Sequence, residues 1–259
     1  MEISIGCTGW SYDGWVGPFY PAGMDSSRFL KFYSRFFDIT EVNSTFYRMP
    51  GTNDAKRWAS QTPAHFRFTA KLPQMITHEK RLKGALHDVE KFLDALRPLD
   101  AKYLLSVIQL PPSLSFWEAR EGLEEIMHMF ARMVVEGRHR SWFSEDAVRY
   151  LTDRNICLVW NDVQNVQNTL PVTSDFLYLR IIGDRKIPQQ SFGQLVRDRT
   201  EDLRKWAAKL EQQKDKVMFA AVLANNHYEG FAAATANKLR MLLGLDELVW
   251  KNQKKLDDF

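Results

Sequence analysis

Eight short apolar runs recur along the chain, and most are followed by a longer stretch with helical spacing. The runs are Glu2–Cys7, 39–43, 65–71, 103–110, 131–136, 156–160, 176–182 and 217–223. Helical patterns fall at about 26–37, 53–60, 84–96, 118–127, 144–153, 200–212 and 230–243, with Asp25 or Ser26 and Ser144 as capping residues. The link 162–174, between the sixth and seventh runs, shows no clear helix. A β-run that alternates with helices builds a parallel sheet, and eight repeats predict a single (β/α)8 barrel over residues 1–259, irregular between strands six and seven. A doubly wound open sheet would share the alternation but usually carries a glycine-rich phosphate loop after its first strand. Gly6-Cys7-Thr8-Gly9-Trp10 has neither the GxGxxG nor the GxxxxGK spacing.

With 45% hydrophobic and 26% charged residues, the 259-residue chain reads as an ordinary globular protein. Its 2 cysteines, Cys7 and Cys157, lie in apolar runs. They fit a reducing compartment and cannot make a multi-thiolate zinc site. The opening MEISIGCTGW lacks the pattern of a signal peptide, and no run approaches the length of a membrane span. A cytoplasmic protein is the expectation. The net charge of +3 is compatible with anionic partners without requiring them, and the final KNQKKLDDF reads as a solvated tail.

Polar side chains recur where the runs end. Glu41 and Asn43 close the second, Lys71 the third and Gln109 the fourth. Glu136, Arg138 and His139 follow the fifth, Asn161 and Asp162 the sixth, and Asn225, Asn226 and His227 the eighth, while Arg180 lies inside the seventh. Barrel active sites are assembled from such ends. A strand end also turns polar because it meets water, so the recurrence weighs more than any one position. Charges within strands are costly unless paired or needed, which singles out Lys71 and Arg180. The expected catalytic group is Glu41, Lys71, Glu136 and His139, with Glu136-Gly137-Arg138-His139 offering a carboxylate, a guanidinium and an imidazole close together. A salt-bridged barrel mouth is the structural alternative. His65 and His78 fit either loop structure or chemistry.

The expected substrate-binding set is Trp10, Tyr12, Asn43, Tyr47, Gln109, Arg138, Trp142, Arg180, Asn225 and Asn226. Flat rings stack on sugars or bases and arginines hold phosphate, although large aromatics also anchor loops. No cofactor is assigned. Glu41, Glu136, Asp162 and His139 would offer ligands to a divalent metal, but the chain has no HxH or HExxH spacing.

The same segments carry a family resemblance. Gly6 to Tyr12 with Trp15 and Phe19-Tyr20-Pro21, then Glu41-Val42-Asn43-Ser44-Thr45-Phe46-Tyr47, resemble signatures of the YecE-like family, domain-of-unknown-function family 72. Ile76-Thr77-His78, Gln109-Leu110-Pro111-Pro112, Glu136 with Arg138-His139 and Ser141-Trp142, and Asn225-Asn226-His227 continue the likeness over nearly the whole chain. The resemblance implies a TIM barrel and, at the level of fold alone, a relation to endonuclease-IV-like or sugar-isomerase-like barrels. Two positions depart from the pattern: Gly137 stands where an aromatic is usual, and Ile182 where a histidine commonly follows the strand arginine.

Three functions follow from these residues. The first is an enzyme acting on a phosphate-bearing substrate, a nucleic acid or nucleotide, as an endonuclease-like hydrolase with Lys71, Arg138 and Arg180 holding phosphate. The second is a non-catalytic nucleic-acid binder using the same basic residues. The third is a carbohydrate hydrolase or isomerase using Glu41 and Glu136. None of the three involves a membrane, and the oligomeric state is left open.

Overall fold

A computed structural model describes residues 1–162 and 170–250. Its strands are β1 (Glu2–Cys7), β2 (Ile39–Val42), β3 (Arg67–Lys71), β4 (Tyr103–Gln109), β5 (Met133–Glu136), β6 (Cys157–Leu158), β7 (Trp160–Asn161), β8 (Phe176–Ile181) and β9 (Phe219–Ala224). They form one sheet in the order β6-β5-β4-β3-β2-β1-β9-β8-β7. The two ends of that order are consecutive in sequence, separated only by Val159, whose amide donates to the Val135 carbonyl at 2.9 Å. The sixth predicted run is therefore split into β6 and β7, which lie at the two ends of that order. The fold is α/β, a (β/α)8 barrel with its irregularity at the sixth strand. Residues 170–174 of the link contain no helix. The rest of that link, 163–169, and the tail 251–259 lie outside the described residues.

The helices are α1 (Phe29–Tyr33), α2 (Ser44–Tyr47), α3 (Thr52–Gln61), α4 (Leu86–Leu96), α5 (Phe116–Ile126), α6 (Glu145–Asp153), α7 (Thr200–Glu211), α8 (Asn226–Glu229) and α9 (Ala232–Leu242). The helix predicted over 26–37 is shorter than its apolar pattern. It begins as a 3-10 turn, with the Asp25 carboxylate accepting from the Ser27 amide at 2.9 Å, and ends at Tyr33. Ser144 caps α6 as expected, its hydroxyl accepting from the Ala147 amide at 3.3 Å. Ser115 and Glu118 close a reciprocal capping box on α5.

By compactness the described chain divides into two units. Unit 1 holds residues 1–40, 161–162 and 179–250. There β1 runs parallel to β9, with Ile3 opposite Ala220 and Cys7 opposite Ala224. Gly6 lets β1 approach its neighbour: a Cβ added there would sit 2.0 Å from the Ile39 carbonyl oxygen. The Tyr33 hydroxyl fastens the same spot, donating to that oxygen at 2.9 Å and accepting from the Cys7 amide at 2.7 Å. Around it the rings of Phe19, Tyr20, Phe29 and Phe32 pack, with Tyr20 stacked on Phe29 at 4.0 Å.

Unit 2 holds residues 41–160 and 170–178. Its strands β3, β4, β5 and β6 pair in parallel, and Lys71 aligns with Val107 while Gln109 aligns with Glu136. This register brings the polar ends of β4 and β5 side by side. Cys7 and Cys157 are free and buried, and burial pushes the Cys157 thiol up to about 12. A thiol held protonated in this way is a packing residue, not a nucleophile. Among the described residues no helix is long and apolar enough to cross a membrane.

Candidate active site

In unit 2 the strand ends carry a continuous polar relay. Lys71 ends β3, and its Nζ donates to Gln109 Oε1 at 3.0 Å. The other end of the same amide, Nε2, donates to Glu136 Oε2 at 2.8 Å. Glu136 Oε1 then accepts from Arg138 Nε and Nη2, both at 3.1 Å. The Gln109 amide is thereby oriented by charge, its oxygen toward the ammonium and its nitrogen toward the carboxylate. Glu136 is almost wholly buried, whereas 20% of the Arg138 side chain is exposed. The relay is thus deep at its centre and open to ligand at the arginine.

A second chain ends on Glu41. The Tyr178 hydroxyl donates to Glu41 Oε2 at 2.9 Å and lies 2.7 Å from Thr69 Oγ1. A carboxylate accepts only, so the tyrosine proton goes to Glu41 and the threonine proton to the tyrosine. Glu41 is fully buried. Both predicted carboxylates of the site therefore accept from protein donors.

His78 joins this group from a π-helical turn, Met75–Glu79, a geometry often found at functional sites. Its ring meets the Phe46 ring edge-on at 5.1 Å, and Lys71 Nζ lies 4.1 Å from the centroid of the same ring. Burial lowers the His78 pKa, and the positive charges of Lys71 and Arg138 lower it further against the opposing charge of Glu136. Burial and both positive charges thus favour the neutral form of the imidazole. Tyr47, next to Phe46 on α2, is 76% exposed, and Asn43 stands at the N-terminus of that helix.

The loop after β5 explains one departure from the family pattern. A Cβ on Gly137 would sit 2.1 Å from Trp142 Cγ, so the indole occupies the space an aromatic at 137 would need. Trp142 is completely buried and donates from Nε1 to the Leu114 carbonyl at 3.1 Å. Its ring anchors the loop and presents no face to a ligand. His139 also serves this loop, its Nδ1 accepting from the Ser141 amide at 3.2 Å. In the neutral ring this leaves Nε2 as the N–H, a donor and not a base.

In unit 1 the predicted residues are engaged mostly in building the fold. Asn225 Nδ2 donates to Thr8 Oγ1 at 2.7 Å, and its Oδ1 accepts from the His227 amide at 2.9 Å. Asn226 Oδ1 accepts from Trp15 Nε1 at 3.0 Å and from the Ala232 amide at 2.9 Å, tying a loop to the start of α9. The Tyr12 hydroxyl donates to the Thr8 carbonyl at 2.5 Å, and the Trp10 carbonyl accepts from Tyr20. Arg180 is buried on β8. Asp162 accepts from the amides of Ile182 and Gly183 and from Arg199 Nη1. Ile182, buried where the family pattern has a histidine, thus offers its backbone to Asp162 instead of a ring nitrogen to a ligand.

Of the four side chains considered for a divalent metal, three are already engaged at their ligand atoms, and Glu41 accepts from Tyr178 on Oε2. Both oxygens of Glu136, both oxygens of Asp162 and Nδ1 of His139 are engaged by protein donors. Among the described residues, no group of three or more His, Cys, Asp and Glu is placed to hold an ion.

With this geometry in view, residues 4–257 match the family model described as "Protein of unknown function DUF72". The chain belongs to this family. It is 24% identical over 277 residues to the UPF0759 protein YunF of Bacillus subtilis strain 168, covering 94% of this chain and 95% of that protein. It is 30% identical over 160 residues to the UPF0759 protein YecE of Escherichia coli strain K12, spanning 60% of this chain and 55% of that protein. A DUF72 family protein of Thermotoga maritima superposes with a TM-score of 0.80 at 26% identity, covering 94% of this chain and 100% of the other. One from Enterococcus faecalis gives 0.77 at 21% identity, over 98% and 100%, which is a likeness of fold.

Tyr178 and Thr69 are not among the candidate site residues read from the sequence, and His78 is left between two readings there. Tyr178 reads as an ordinary apolar strand residue until its hydroxyl is seen on Glu41. Only the Ile76-Thr77-His78 segment of the family resemblance pointed toward the histidine.

Proposed function

We propose that this DUF72 family member is an enzyme acting on a phosphate-bearing substrate, specifically a hydrolase of phosphodiesters in nucleic acid or nucleotide. One observation carries the reading: Lys71 and Arg138 are joined through Gln109 and Glu136 beyond the ends of β3 and β5, and the His78 imidazole packs at 5.1 Å on the same Phe46 ring that Lys71 Nζ approaches at 4.1 Å. Cations draw in an anionic ester, and a neutral imidazole beside it is the usual base for activating water. In that reaction His78 takes a proton from water, and the water oxygen bonds to phosphorus. The bond from phosphorus to the leaving oxygen breaks, and the leaving alkoxide recovers the proton from the imidazolium. Lys71 and Arg138 offset the charge that builds on the phosphoryl oxygens. Gln109 and Glu136 hold these cations in place, and the exposed Tyr47 ring offers a face to a base or sugar.

The carbohydrate reading is less well supported by the same geometry. A glycosidase needs one carboxyl group to donate a proton. Both oxygens of Glu136 are instead acceptors, to Gln109 and Arg138.

The test is turnover of bis(p-nitrophenyl) phosphate and of a labelled oligonucleotide by purified protein and by His78→Gln and Lys71→Met. We expect the wild type to cleave and each variant to lose most of the rate. Turnover unchanged in both variants would falsify the assignment. Salt-dependent oligonucleotide binding without cleavage would replace it with the non-catalytic binder.

A further inference from the structure

A base is useful only if its lone pair is on the outward nitrogen, and in a neutral histidine that depends on which nitrogen holds the proton. The π-helical turn that carries His78 also carries Thr77, whose side chain is fully buried. Thr77 Oγ1 makes two contacts. It lies 3.2 Å from the Pro73 carbonyl oxygen and 2.9 Å from His78 Nδ1. A carbonyl can only accept, so the single hydroxyl proton belongs to the Pro73 contact. With the hydroxyl proton on that carbonyl, Oγ1 offers Nδ1 a lone pair.

We infer that Thr77 is a positioning residue that fixes His78 as the Nδ1–H tautomer and so leaves Nε2 bare as the proton-accepting atom. The arrangement is the mirror of His139, where a backbone amide claims Nδ1 and forces the proton onto Nε2. The two imidazoles of unit 2 that fall within the family resemblance are therefore set to opposite tautomers by their neighbours, one as acceptor and one as donor. The turn supplies the means. The Pro73 carbonyl also accepts from the amides of Ile76 at 3.0 Å and Thr77 at 3.2 Å, so the group that receives the Thr77 hydroxyl is held in place by the backbone itself. The claim gives the proposed reaction its base atom. It does not depend on that reaction, because a tautomer can be read without turnover.

The experiment is nitrogen-15 NMR of the full chain labelled at histidine, recorded near pH 8, with His78 assigned by the signals lost in His78→Gln. In the wild type, Nδ1 should resonate as a protonated nitrogen and Nε2 as an unprotonated one, with His139 showing the reverse. Thr77→Val removes the hydroxyl at nearly constant shape and should shift the larger population to Nε2–H, while Thr77→Ser should keep the wild-type pattern. A wild-type His78 in the Nε2–H form sinks the inference, and so does a Thr77→Val protein that retains Nδ1–H. If Thr77→Val fails to fold, Thr77→Ser decides, since an Nε2–H signal there overturns the claim and an Nδ1–H signal upholds it. A correct tautomer in a protein that cleaves no phosphodiester would leave this inference standing and remove the proposed function.

Discussion

The strand ends of the two units are equally polar in sequence but are used differently. In unit 2 they are charged and linked to one another, from Lys71 through Gln109 and Glu136 to Arg138. In unit 1 the neutral amides and hydroxyls of Asn225, Asn226 and Thr8 bind neighbouring backbone and loop groups, and Asp162 is held by two backbone amides as well as by Arg199. A polar residue whose partners are backbone groups completes the fold. Charged residues that hold each other, with an arginine left partly exposed, keep a surplus capacity for a ligand. Polarity at a strand end therefore marks a candidate, and its partners decide the role.

This contrast can be broken by substitution, and the largest effect belongs to unit 2. His78→Gln should cut phosphodiester turnover by roughly 10²–10⁴-fold, the usual contribution of a general base, with little change in the urea midpoint. A comparable rate loss in Asn225→Ala, corrected for the folded fraction, would erase the distinction between the units.

Next in size is Asn226→Ala. It leaves the buried Trp15 indole N–H and the Ala232 amide without their acceptor. Each orphaned donor costs about 1–3 kcal/mol, so urea denaturation should show a loss in that range or above. A variant as stable as the wild type would mean that Asn226 is not a scaffold residue.

A smaller and sharper test is the pH profile. His78 is held below its ordinary value by burial and then by Lys71 and Arg138. In kcat/KM the acidic limb should therefore lie below about pH 6.5. Lys71→Met removes one repelling charge, so in the residual activity that limb should move to higher pH. Movement to lower pH, or none, would show that Lys71 does not act on the histidine.

The smallest expected effect is on stability, and it sets one histidine of each unit against the other. His227 is also lowered, by burial and then Arg185, against the opposing influence of Ile187 and Asp184. A histidine with a depressed folded pKa binds its proton more readily when unfolded, so its stabilising contribution is present above about pH 6.5 and is lost as the pH falls. Urea unfolding at pH 7.5 and at pH 5 should show this loss in the wild type, and His78→Gln and His227→Gln should each reduce it. An acid loss that is undiminished in both variants would assign it to other groups.

Much of the architecture is legible in the order of residues, because periodicity is a local property. Alternation of apolar runs with helical stretches identified the barrel, and Ser144 announced the start of α6. The ends of β2 to β5 could be listed as site candidates from their polarity alone. The apolar pattern overextended the first helix, since Phe36 and Phe37 pack as loop aromatics against Phe32 and Tyr33 beyond its end. Trp142 and Tyr47 looked alike as loop aromatics, yet one is completely buried and the other 76% exposed.

The chain itself determined that this is an α/β barrel of the DUF72 family and which side chains terminate its strands. Tertiary structure alone decided which of those side chains are spent on backbone partners, which way the Gln109 amide points, and that burial, Lys71 and Arg138 lower the His78 pKa. The physical reason is range. A repeat of 2.0 or 3.6 residues is written in adjacent positions, whereas a pKa or a hydrogen-bond partner sums over atoms that folding brings from tens of residues away.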